Sequence, residues 1–313
     1  MKLIIQIPCF NEEGTLATTL KALPKRVAGF DTVEALVIDD GSSDQTVAVA
    51  RQEGVAHILP LPHRGLAHAF SRGLQESVRL GADVIVHTDA DNQYCADDIP
   101  ALVAPIVEKR AQIVVGCRAI DSIDHFSPLK KSLQRWGSRV VRQLSRLEIS
   151  DATSGFRAYT REAALRLNVL SDYTYTLETL IQAGQRGISV VAVPIRTNPK
   201  LRESRLIKST WGYVFRSAAT MVRVYLMYQP FKSFLTLGGV VFAAGGGLVV
   251  RFLVFHLTRP HSGHVQSLVL GVGLLILGLG VAMLGLLADL IAANRKLQEE
   301  TLYHLKRQAL NLK

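Results

Sequence analysis

The chain has 313 residues, of which 48% are hydrophobic, and its formal net charge is +10 at pH 7. This length allows one large domain and a further segment, and the mean hydropathy of +0.21 indicates a membrane component. The three cysteines lack the spacing of a metal site, and basic residues concentrate beside the apolar C-terminal runs, which argues for an anionic lipid rather than a nucleic acid as partner.

Short apolar runs alternate with amphipathic stretches through the first two thirds of the chain. Predicted strands cover residues 3–7, 33–38, 55–59, 85–88, 111–116 and 190–194. Predicted helices follow the polar loops, including those at 64–80, 97–110 and 173–186. This alternation predicts an α/β fold with a doubly wound, mostly parallel sheet, in which ligands bind beyond the carboxyl ends of the strands.

The most informative of these strands ends in two carboxylates, Asp89 and Asp91, followed by Gln93. Carboxylates one residue apart can hold Mg²⁺ or Mn²⁺, with coordination positions left for the oxygens of a diphosphate. A turn or a helix cap uses the same residue types, so this motif alone does not decide between the two interpretations. Polar loops at 8–12 and 39–44 follow two other strands at the same sheet edge, which favours a ligand site.

These motifs, in this order, resemble those of family 2 glycosyltransferases with the Rossmann-like GT-A fold. The resemblance covers roughly residues 1–210 and rests on the segments at 8–12, 37–44 and 89–93. Further motifs at 116–118, 151–157 and 203–206 resemble the polyprenyl-phosphate branch, the dolichol-phosphate mannose synthase-like enzymes. The chain differs from the common family pattern at Cys9, Phe10, Asn92 and Tyr94.

The resemblance implies a nucleotide-sugar donor, linked to UDP or GDP, and a divalent metal, Mg²⁺ or Mn²⁺. A divalent ion stabilises the charge that builds on the departing diphosphate. The implied metal ligands are Asp89, Asp91 and Gln93. The implied donor contacts are Pro8, Phe10, Glu12, Asp39, Asp40, Asp89, Ala90, Asp91 and Gln93, with Asp40 accepting from a base N–H. The implied catalytic residues are Asp89, Asp91, Arg118 and Asp151.

The implied acceptor is a polyprenyl phosphate, such as undecaprenyl or dolichyl phosphate. A phosphate monoester has a second pKa near ~6, so at pH 7 it needs cationic positioning more than it needs a base. The predicted acceptor-phosphate residues are Arg118, Lys131, Arg135, Ser154, Arg202, Ser204 and Arg205. Lys130, Arg157 and Lys200 are expected to face the same cleft, although a basic residue in such loops can equally lie on a solvated or lipid-headgroup-binding face. Residues 151–157 are expected to form an irregular loop beside the sugar, because Gly155 allows close approach of the backbone.

The composition changes after the predicted catalytic domain, residues 1–207. Aromatic and basic residues alternate over 208–231, as is typical of an amphipathic interfacial helix. Residues 232–293 are predicted to form a transmembrane hairpin, with spans at about 233–257 and about 267–290, and residues 294–313 an amphipathic tail. Glycines in both spans permit close helix packing.

Basic residues flank both ends of the hairpin: Arg216, Arg223, Lys232, Arg295 and Lys296. By the positive-inside rule, the catalytic domain and both termini are expected in the cytosol. The protein is therefore expected to be a multi-pass protein of the cell inner membrane or another membrane.

Together these features predict transfer of a monosaccharide to a polyprenyl phosphate at the cytosolic membrane face, for glycan or envelope assembly, and the resemblance implies inversion at the anomeric carbon. Transfer to a lipid hydroxyl such as diacylglycerol is the enzymatic alternative, and it would require a base such as Asp151 or Glu178. A membrane-bound subunit that binds nucleotide sugar or lipid phosphate without catalysis is the other alternative. A processive synthase is less well supported, since two spans offer little for a polymer channel. Assembly as a homo-oligomer stays open.

Overall fold

The computed structural model describes residues 1–118, 147, 149–169, 175–199, 219, 222, 223, 226, 229–258 and 265–310. The chain forms two compact units. The first comprises Met1–Ser217 together with Tyr303–Lys313, and the second comprises Ala218–Leu302. Most of the predicted interfacial helix at 208–231 lies outside the described residues.

The first unit is built on a mixed sheet that has seven strands in the described part of the chain. These are β1 (Lys2–Cys9), β2 (Thr32–Asp39), β3 (His57–Pro60), β4 (Val84–His87), β5 (Ile113–Arg118), β6 (Arg157–Thr160) and β7 (Val190–Ile195). Their order is β3-β2-β1-β4-β6-β5-β7, and only β6 runs antiparallel to its neighbours. The predicted mostly parallel sheet is confirmed.

Helices connect the strands and cover the sheet. They are α1 (Leu16–Ala22), α2 (Thr46–Gln52), α3 (Leu66–Arg79), α4 (Ile99–Val107), α5 (Arg161–Arg166) and α6 (Thr176–Gln185). Leu3, Ile5, Val37 and Val86 are buried in the core between sheet and helices. Each such side chain contributes roughly 1.5–3 kcal/mol when it is fully removed from water. Strands β1 and β4 are buried on both sides, which explains why they are largely apolar rather than alternating.

Strand β6 and helix α5 were not predicted. The predicted irregular loop ends at Arg157, where β6 begins. The strand has only four residues, RAYT, which is too short to show a periodic pattern. It is nevertheless central, because its backbone pairs with both β4 and β5.

The ladder between β1 and β4 ends where the site begins. Strand β1 pairs with β4 only as far as Gln6 and His87, whereas its pairing with β2 continues to Cys9 and Asp39. The chain also reverses its direction of winding between β1 and β4, since β2 and β3 lie on one side and β4 on the other. Such a topological switch point opens a crevice at the carboxyl edge of the sheet.

The second unit contains two long helices. Helix α7 covers Pro230–Thr258, and helix α8 begins at Val265 and continues to Ala309 in the first unit. Both are long and apolar enough to cross a membrane. Large apolar side chains along them are exposed, among them Leu257 and Ile276. The region predicted as a separate tail from 294 continues α8 without a break.

Four glycines let α7 and α8 pack backbone to backbone. A Cβ atom added to Gly238 would lie 2.7 Å from the carbonyl oxygen of Gly278, and one added to Gly245 would lie 2.7 Å from that of Gly271. The two glycines on each helix are separated by one heptad, so they fall on a single seam. Glycines on other faces of the same helices, such as Gly280, have nothing within 4 Å of an added Cβ.

The end of α8 packs against α5 inside the first unit. Tyr303 is buried, and its hydroxyl donates to a carboxylate oxygen of Glu162 at 2.7 Å. The Lys306 ammonium donates to Asn168 Oδ1 at 2.7 Å and to the carbonyl oxygen of Leu165 at 3.3 Å. Burial lowers the pKa of Lys306 to about 8. A cation at this position caps the last carbonyls of α5, which stabilises the contact.

We expect Gly278→Ala to destabilise the helical hairpin, because the new Cβ would lie 2.6 Å from the backbone nitrogen of Phe242. Gly280→Ala is the matched control on the same helix, and it should be neutral or stabilise the helix by roughly 0.5–1 kcal/mol. Thermal unfolding of the full chain in detergent measures both variants. Equal stability of the two variants would contradict the glycine seam.

Candidate active site

The loops after β1 and β2 are joined by hydrogen bonds at the crevice. The backbone N–H of Asn11 donates to Ser42 Oγ at 2.9 Å, and that of Ser43 donates to Asn11 Oδ1 at 2.8 Å. The N–H of Glu12 donates to Thr46 Oγ1 at 2.8 Å. Asn11 has a φ of +56°, a conformation that asparagine tolerates better than most residues. The two loops therefore form one surface.

An aromatic pair lies on this surface. The side chain of Phe10 is 38% exposed and stacks on His63, with ring centroids 4.1 Å apart. His63 Nδ1 lies 2.8 Å from Asp40 Oδ2. The Asp40 carboxylate also accepts the backbone N–H groups of Arg64 and Gly65, at 3.0 and 2.8 Å. Asp40 therefore fixes the loop before α3. An N–H group of a bound nucleobase would have to donate to a lone pair of this carboxylate that these contacts leave available.

Three other residues that were predicted to contact the nucleotide sugar lie in or next to these loops. Pro8, Glu12 and Asp39 are buried. Asp39 Oδ1 accepts the backbone N–H of Ser42 at 3.1 Å. Glu12 Oε2 accepts the hydroxyl of Thr15 at 2.9 Å. These contacts place the three residues beside the crevice, and their roles in donor binding stay predictions.

The acidic loop directly follows β4. Asp89 is about one-third exposed, with 36% of its side chain accessible. Asp91 Oδ1 accepts the backbone N–H of Gln93 at 3.2 Å, and Asn92 between them has a φ of +55°. Thr19 Oγ1 donates to the carbonyl oxygen of Ala90 at 2.8 Å. The loop is thus a tight turn held from outside, and the asparagine at 92 suits its left-handed backbone.

Asn198 holds the same loop from the opposite side. Its backbone N–H donates to the carbonyl oxygen of Gln93 at 2.9 Å. Its side-chain amide donates to the carbonyl oxygens of Asn92 and Tyr94, at 3.0 and 3.3 Å. One residue therefore satisfies three successive carbonyls of the turn. This contact fixes the backbone from which the Gln93 side chain extends.

The side chains of this loop supply metal ligands that suit a hard divalent cation. Two carboxylates and an amide supply only oxygen ligands, which Mg²⁺ and Mn²⁺ prefer. Within the described ranges, no three His, Cys, Asp or Glu side chains form a closed metal site. An ion that takes its remaining ligands from a diphosphate and from water needs only one or two protein carboxylates. Asp89, Asp91 and Gln93 would hold it.

Arg118 and Asp151 form a buried ion pair at the end of β5. The Arg118 guanidinium donates to both oxygens of Asp151, at 2.7 and 3.1 Å, and to Thr153 Oγ1 at 3.1 Å. Burial by itself would raise the pKa of Asp151, but the contact with Arg118 lowers it overall. Burial opposes the charge of Arg118 as well, and contacts with Tyr94 and Asp151 raise its pKa overall. The pair therefore stays ionised, and Asp151 is a poor proton acceptor.

The segment from Asp151 to Arg157 closes over the acidic loop. The backbone N–H of Gly155 donates to the Tyr94 hydroxyl at 2.9 Å. A Cβ atom added to Gly155 would lie 2.8 Å from the Tyr175 hydroxyl and 3.4 Å from both carboxylate oxygens of Asp89. The contact with Tyr175 leaves no room for a side chain, so glycine is required here, and the predicted approach of this backbone to the sugar stays a prediction. The contact brings the predicted acceptor side directly against the predicted metal side.

Two predicted cleft residues of this segment, Arg157 and Ser154, are buried. Arg157, expected to face the cleft, is instead fully buried, and its guanidinium donates to the carbonyl oxygens of Ala152, Ser154 and Thr176. It holds the loop against α6, because a buried guanidinium must satisfy its donors locally. Ser154 is buried, and its hydroxyl has no hydrogen-bond partner among the described residues. Its predicted contact with the acceptor phosphate stays a prediction.

The remaining acceptor-side residues cannot be placed. Lys131, Arg135, Arg202, Ser204 and Arg205 lie outside the described residues, as do Lys130 and Lys200. Of the predicted acceptor cations, the structure thus brings Arg118 to the site. Glu178, the alternative base, is buried in the first turn of α6, where its carboxylate accepts from Gln182 Nε2 at 3.3 Å.

A buried polar network beneath Asp89 was not predicted. His87 is fully buried, with Nδ1 3.0 Å from Gln6 Nε2 and Nε2 2.7 Å from the Tyr175 hydroxyl. Burial, and secondarily the positive charge of Arg157, lowers the pKa of His87 to about 3, so the imidazole is neutral at physiological pH. His63, Asn198 and Tyr175 were also missed as site residues. A polar residue inside an apolar strand, such as His87, is the one signal in the sequence that pointed to this network.

Comparisons with known proteins support the assignment of the fold. A model of the family described as "Glycosyl transferase family 2" matches residues 4–167, more than half of the chain. Glucosyl-3-phosphoglycerate synthase from Mycobacterium tuberculosis, solved with Mn²⁺, UDP and phosphoglyceric acid, is similar in structure, with a TM-score of 0.56 at 19% identity. The match covers 72% of this chain and 77% of that structure. At this identity it shows the fold alone.

Curated relatives are similar over most of their own length. An uncharacterized protein of Methanocaldococcus jannaschii is 31% identical over 63% of this chain and 81% of its own. A UDP-N-acetylglucosamine–dolichyl-phosphate N-acetylglucosaminyltransferase of Methanococcus voltae is 29% identical over 61% of this chain and 83% of its own. An undecaprenyl-phosphate mannosyltransferase of Micrococcus luteus is 28% identical over 66% and 88%.

We expect Asp151→Asn to lower the free energy of unfolding by about 3–5 kcal/mol, because Arg118 would be left buried without its counter-ion. The stability that Asp151 contributes is present above its unfolded pKa and is lost as the pH falls through its lower folded pKa. The variant should therefore show a flatter loss of stability in acid than the native chain. Denaturant unfolding across pH measures this. Unchanged stability with lost turnover would indicate a catalytic base instead.

Proposed function

Since the chain belongs to glycosyl transferase family 2, we propose that it transfers one sugar from a nucleotide diphosphate sugar to a polyprenyl phosphate, with inversion at the anomeric carbon. The observation that carries this proposal is the position of Asp89, Asp91 and Gln93, directly after β4 at the switch point of the sheet. The joined loops after β1 and β2 face the same crevice. A nucleotide diphosphate sugar bound along this edge would place its nucleobase against the joined loops and its diphosphate against the acidic loop.

The donor side of the proposal rests on three features of the crevice. The stacked Phe10–His63 pair is an aromatic surface against which a nucleobase can pack. Asp89, Asp91 and Gln93 would hold a divalent ion, which supplies Lewis-acid stabilisation to the diphosphate when it is bound. The external hydrogen bonds from Thr19 and Asn198 hold the loop in place before any ligand arrives. Such preorganisation is what makes electrostatic stabilisation effective.

The acceptor side of the proposal rests on Arg118 and on the relatives. Proteins named for transfer to dolichyl and undecaprenyl phosphate are similar over most of their length, which supports a polyprenyl phosphate here. A phosphate oxygen is already ionised and needs a cation to orient it. Arg118 supplies that cation beside the acidic loop, together with Lys131, Arg135, Ser154, Arg202, Ser204 and Arg205 by resemblance. Transfer to a lipid hydroxyl would require a base, and Asp151 is engaged by Arg118.

Helices α7 and α8 complete the proposal. They would anchor the enzyme as a multi-pass protein of the cell inner membrane or another membrane, with the catalytic domain and both termini in the cytosol. The headgroup of a polyprenyl phosphate lies at the interface while its tail stays in the bilayer. A domain tethered at that surface can therefore reach the phosphate without extracting the lipid.

The proposal is tested with the purified full chain in lipid nanodiscs that contain undecaprenyl phosphate. A panel of UDP- and GDP-linked sugars is supplied with Mg²⁺ or Mn²⁺, and the lipid product is detected by mass. We expect a lipid-linked monosaccharide from at least one donor. Asp91→Ala should reduce turnover by about 10²–10³-fold with the fold retained, because a stabilising group at the departing charge is lost.

Two controls make this result interpretable. Asp97→Ala removes a carboxylate of the same stretch of chain that lies outside the loop, and it should keep native turnover. Omitting undecaprenyl phosphate distinguishes transfer from donor hydrolysis. No product from any donor, or full turnover by Asp91→Ala, would contradict the proposed function, and the latter result would favour a binding subunit.

A further inference from the structure

Three buried polar side chains form a hydrogen-bonded chain beneath the acidic loop. Gln6 on β1, His87 on β4 and Tyr175 before α6 are all essentially inaccessible to solvent. The chain runs from Gln6 Nε2 to His87 Nδ1 at 3.0 Å and from His87 Nε2 to the Tyr175 hydroxyl at 2.7 Å. Burying three polar groups in an apolar core is costly unless they are paired, so their arrangement calls for a reason.

We propose that the hydrogen-bonded series Gln6–His87–Tyr175 positions Asp89. In this proposal the Tyr175 hydroxyl is the positioning group that orients the Asp89 carboxylate toward the metal-bound diphosphate. The inference rests on the proposed function, because it gives Asp89 a role in that metal site. It assigns no contact with substrate to Gln6, His87 or Tyr175. All three would act through Asp89.

The direction of the hydrogen bonds supports this role. The amide nitrogen of Gln6 can only donate, so Nδ1 of His87 accepts and Nε2 carries the proton. That proton is donated to the oxygen of Tyr175. The phenol proton must then point away from His87. The hydrogen-bond chain therefore ends in the O–H group of Tyr175, whose proton points away from the buried His87.

Tyr175 and Asp89 both lie against Gly155. A Cβ atom added to Gly155 would lie 2.8 Å from the Tyr175 hydroxyl and 3.4 Å from both oxygens of Asp89. The phenol and the carboxylate thus approach the same point on the Gly155 backbone. His87 Nε2 is 3.9 Å from Asp89 Oδ1, too far for a hydrogen bond. In the proposal, the effect of the imidazole on the carboxylate passes through the phenol.

Packing holds the phenol in place. Its ring stacks on Phe70 with centroids 3.9 Å apart and an interplanar angle of 10°, and Phe70 also contacts the edge of His87. The ring therefore has little freedom to turn. Groups that orient a metal-binding carboxylate in this way change metal affinity or activity by about 10- to 100-fold when they are removed.

Tyr175→Phe tests the inference, because it removes the hydroxyl and keeps the stacked ring. Tyr159→Phe is the matched control: Tyr159 is equally buried and also contacts Phe70, but its hydroxyl lies near Arg157 and Thr179 and outside the chain from Gln6 to Tyr175. Binding of UDP and of GDP to the full chain is measured by calorimetry over a range of Mn²⁺ concentrations. Thermal unfolding of each variant reports whether the fold is kept.

We expect Tyr175→Phe to raise the Mn²⁺ concentration needed for half-maximal nucleotide binding about 10-fold, and Tyr159→Phe to change it less than about 2-fold. In an Asp89→Asn background, Tyr175→Phe should have no further effect, which a purely structural role would not predict. An equal Mn²⁺ requirement in Tyr175→Phe and Tyr159→Phe would overturn the inference, as would an undiminished effect in the Asp89→Asn background. If Asp91→Ala binds nucleotide with native Mn²⁺ dependence, the proposed function fails instead.

Discussion

The pairing of β1 with β4 ends at Gln6 and His87, with a last hydrogen bond from the N–H of Thr88 to the carbonyl oxygen of Gln6, and the candidate site lies beyond that point. Parallel strands that stay paired leave no space for a ligand between them. Here β1 continues beside β2 to Cys9 and Asp39 while β4 turns away into the acidic loop. The crevice therefore lies where these two buried strands separate. The loops that follow the strands are held in place because the strands themselves are rigid.

The acidic loop is held from several directions at once. Thr19 binds it from α1, Asn198 from the segment after β7, and Gly155 approaches it from the segment before β6. These three residues come from distant parts of the chain and together fix the backbone of the loop. Arg118, in its ion pair with Asp151, lies over the Tyr94 ring and within the electrostatic influence of Asp89. In the proposed function, this guanidinium would orient a lipid phosphate beside the metal-bound diphosphate.

The sequence predicted those features that depend on neighbours along the chain. Apolar runs followed by polar loops located β1, β2 and β4 and the loops that follow them, because strand ends and turn residues carry local signals. Strand β6 escaped prediction because four residues show no period. Asn198 and Tyr175 escaped because their partners are far away: Asn198 is 106 residues from Asn92 and Tyr175 is 88 residues from His87. Arg157 was predicted to face the cleft, but it is buried and has a structural role. The sequence alone does not show whether a basic residue is buried.

The most direct measurement is a structure of the full chain with Mn²⁺ and either UDP or GDP, in which the anomalous signal of manganese locates the ion independently of the protein atoms. The proposed function predicts one manganese peak within about 2.5 Å of an oxygen of Asp91, bridging to the diphosphate, with the base against Phe10. A peak elsewhere, or a nucleotide bound at a distance from the crevice between β1 and β4, would contradict it.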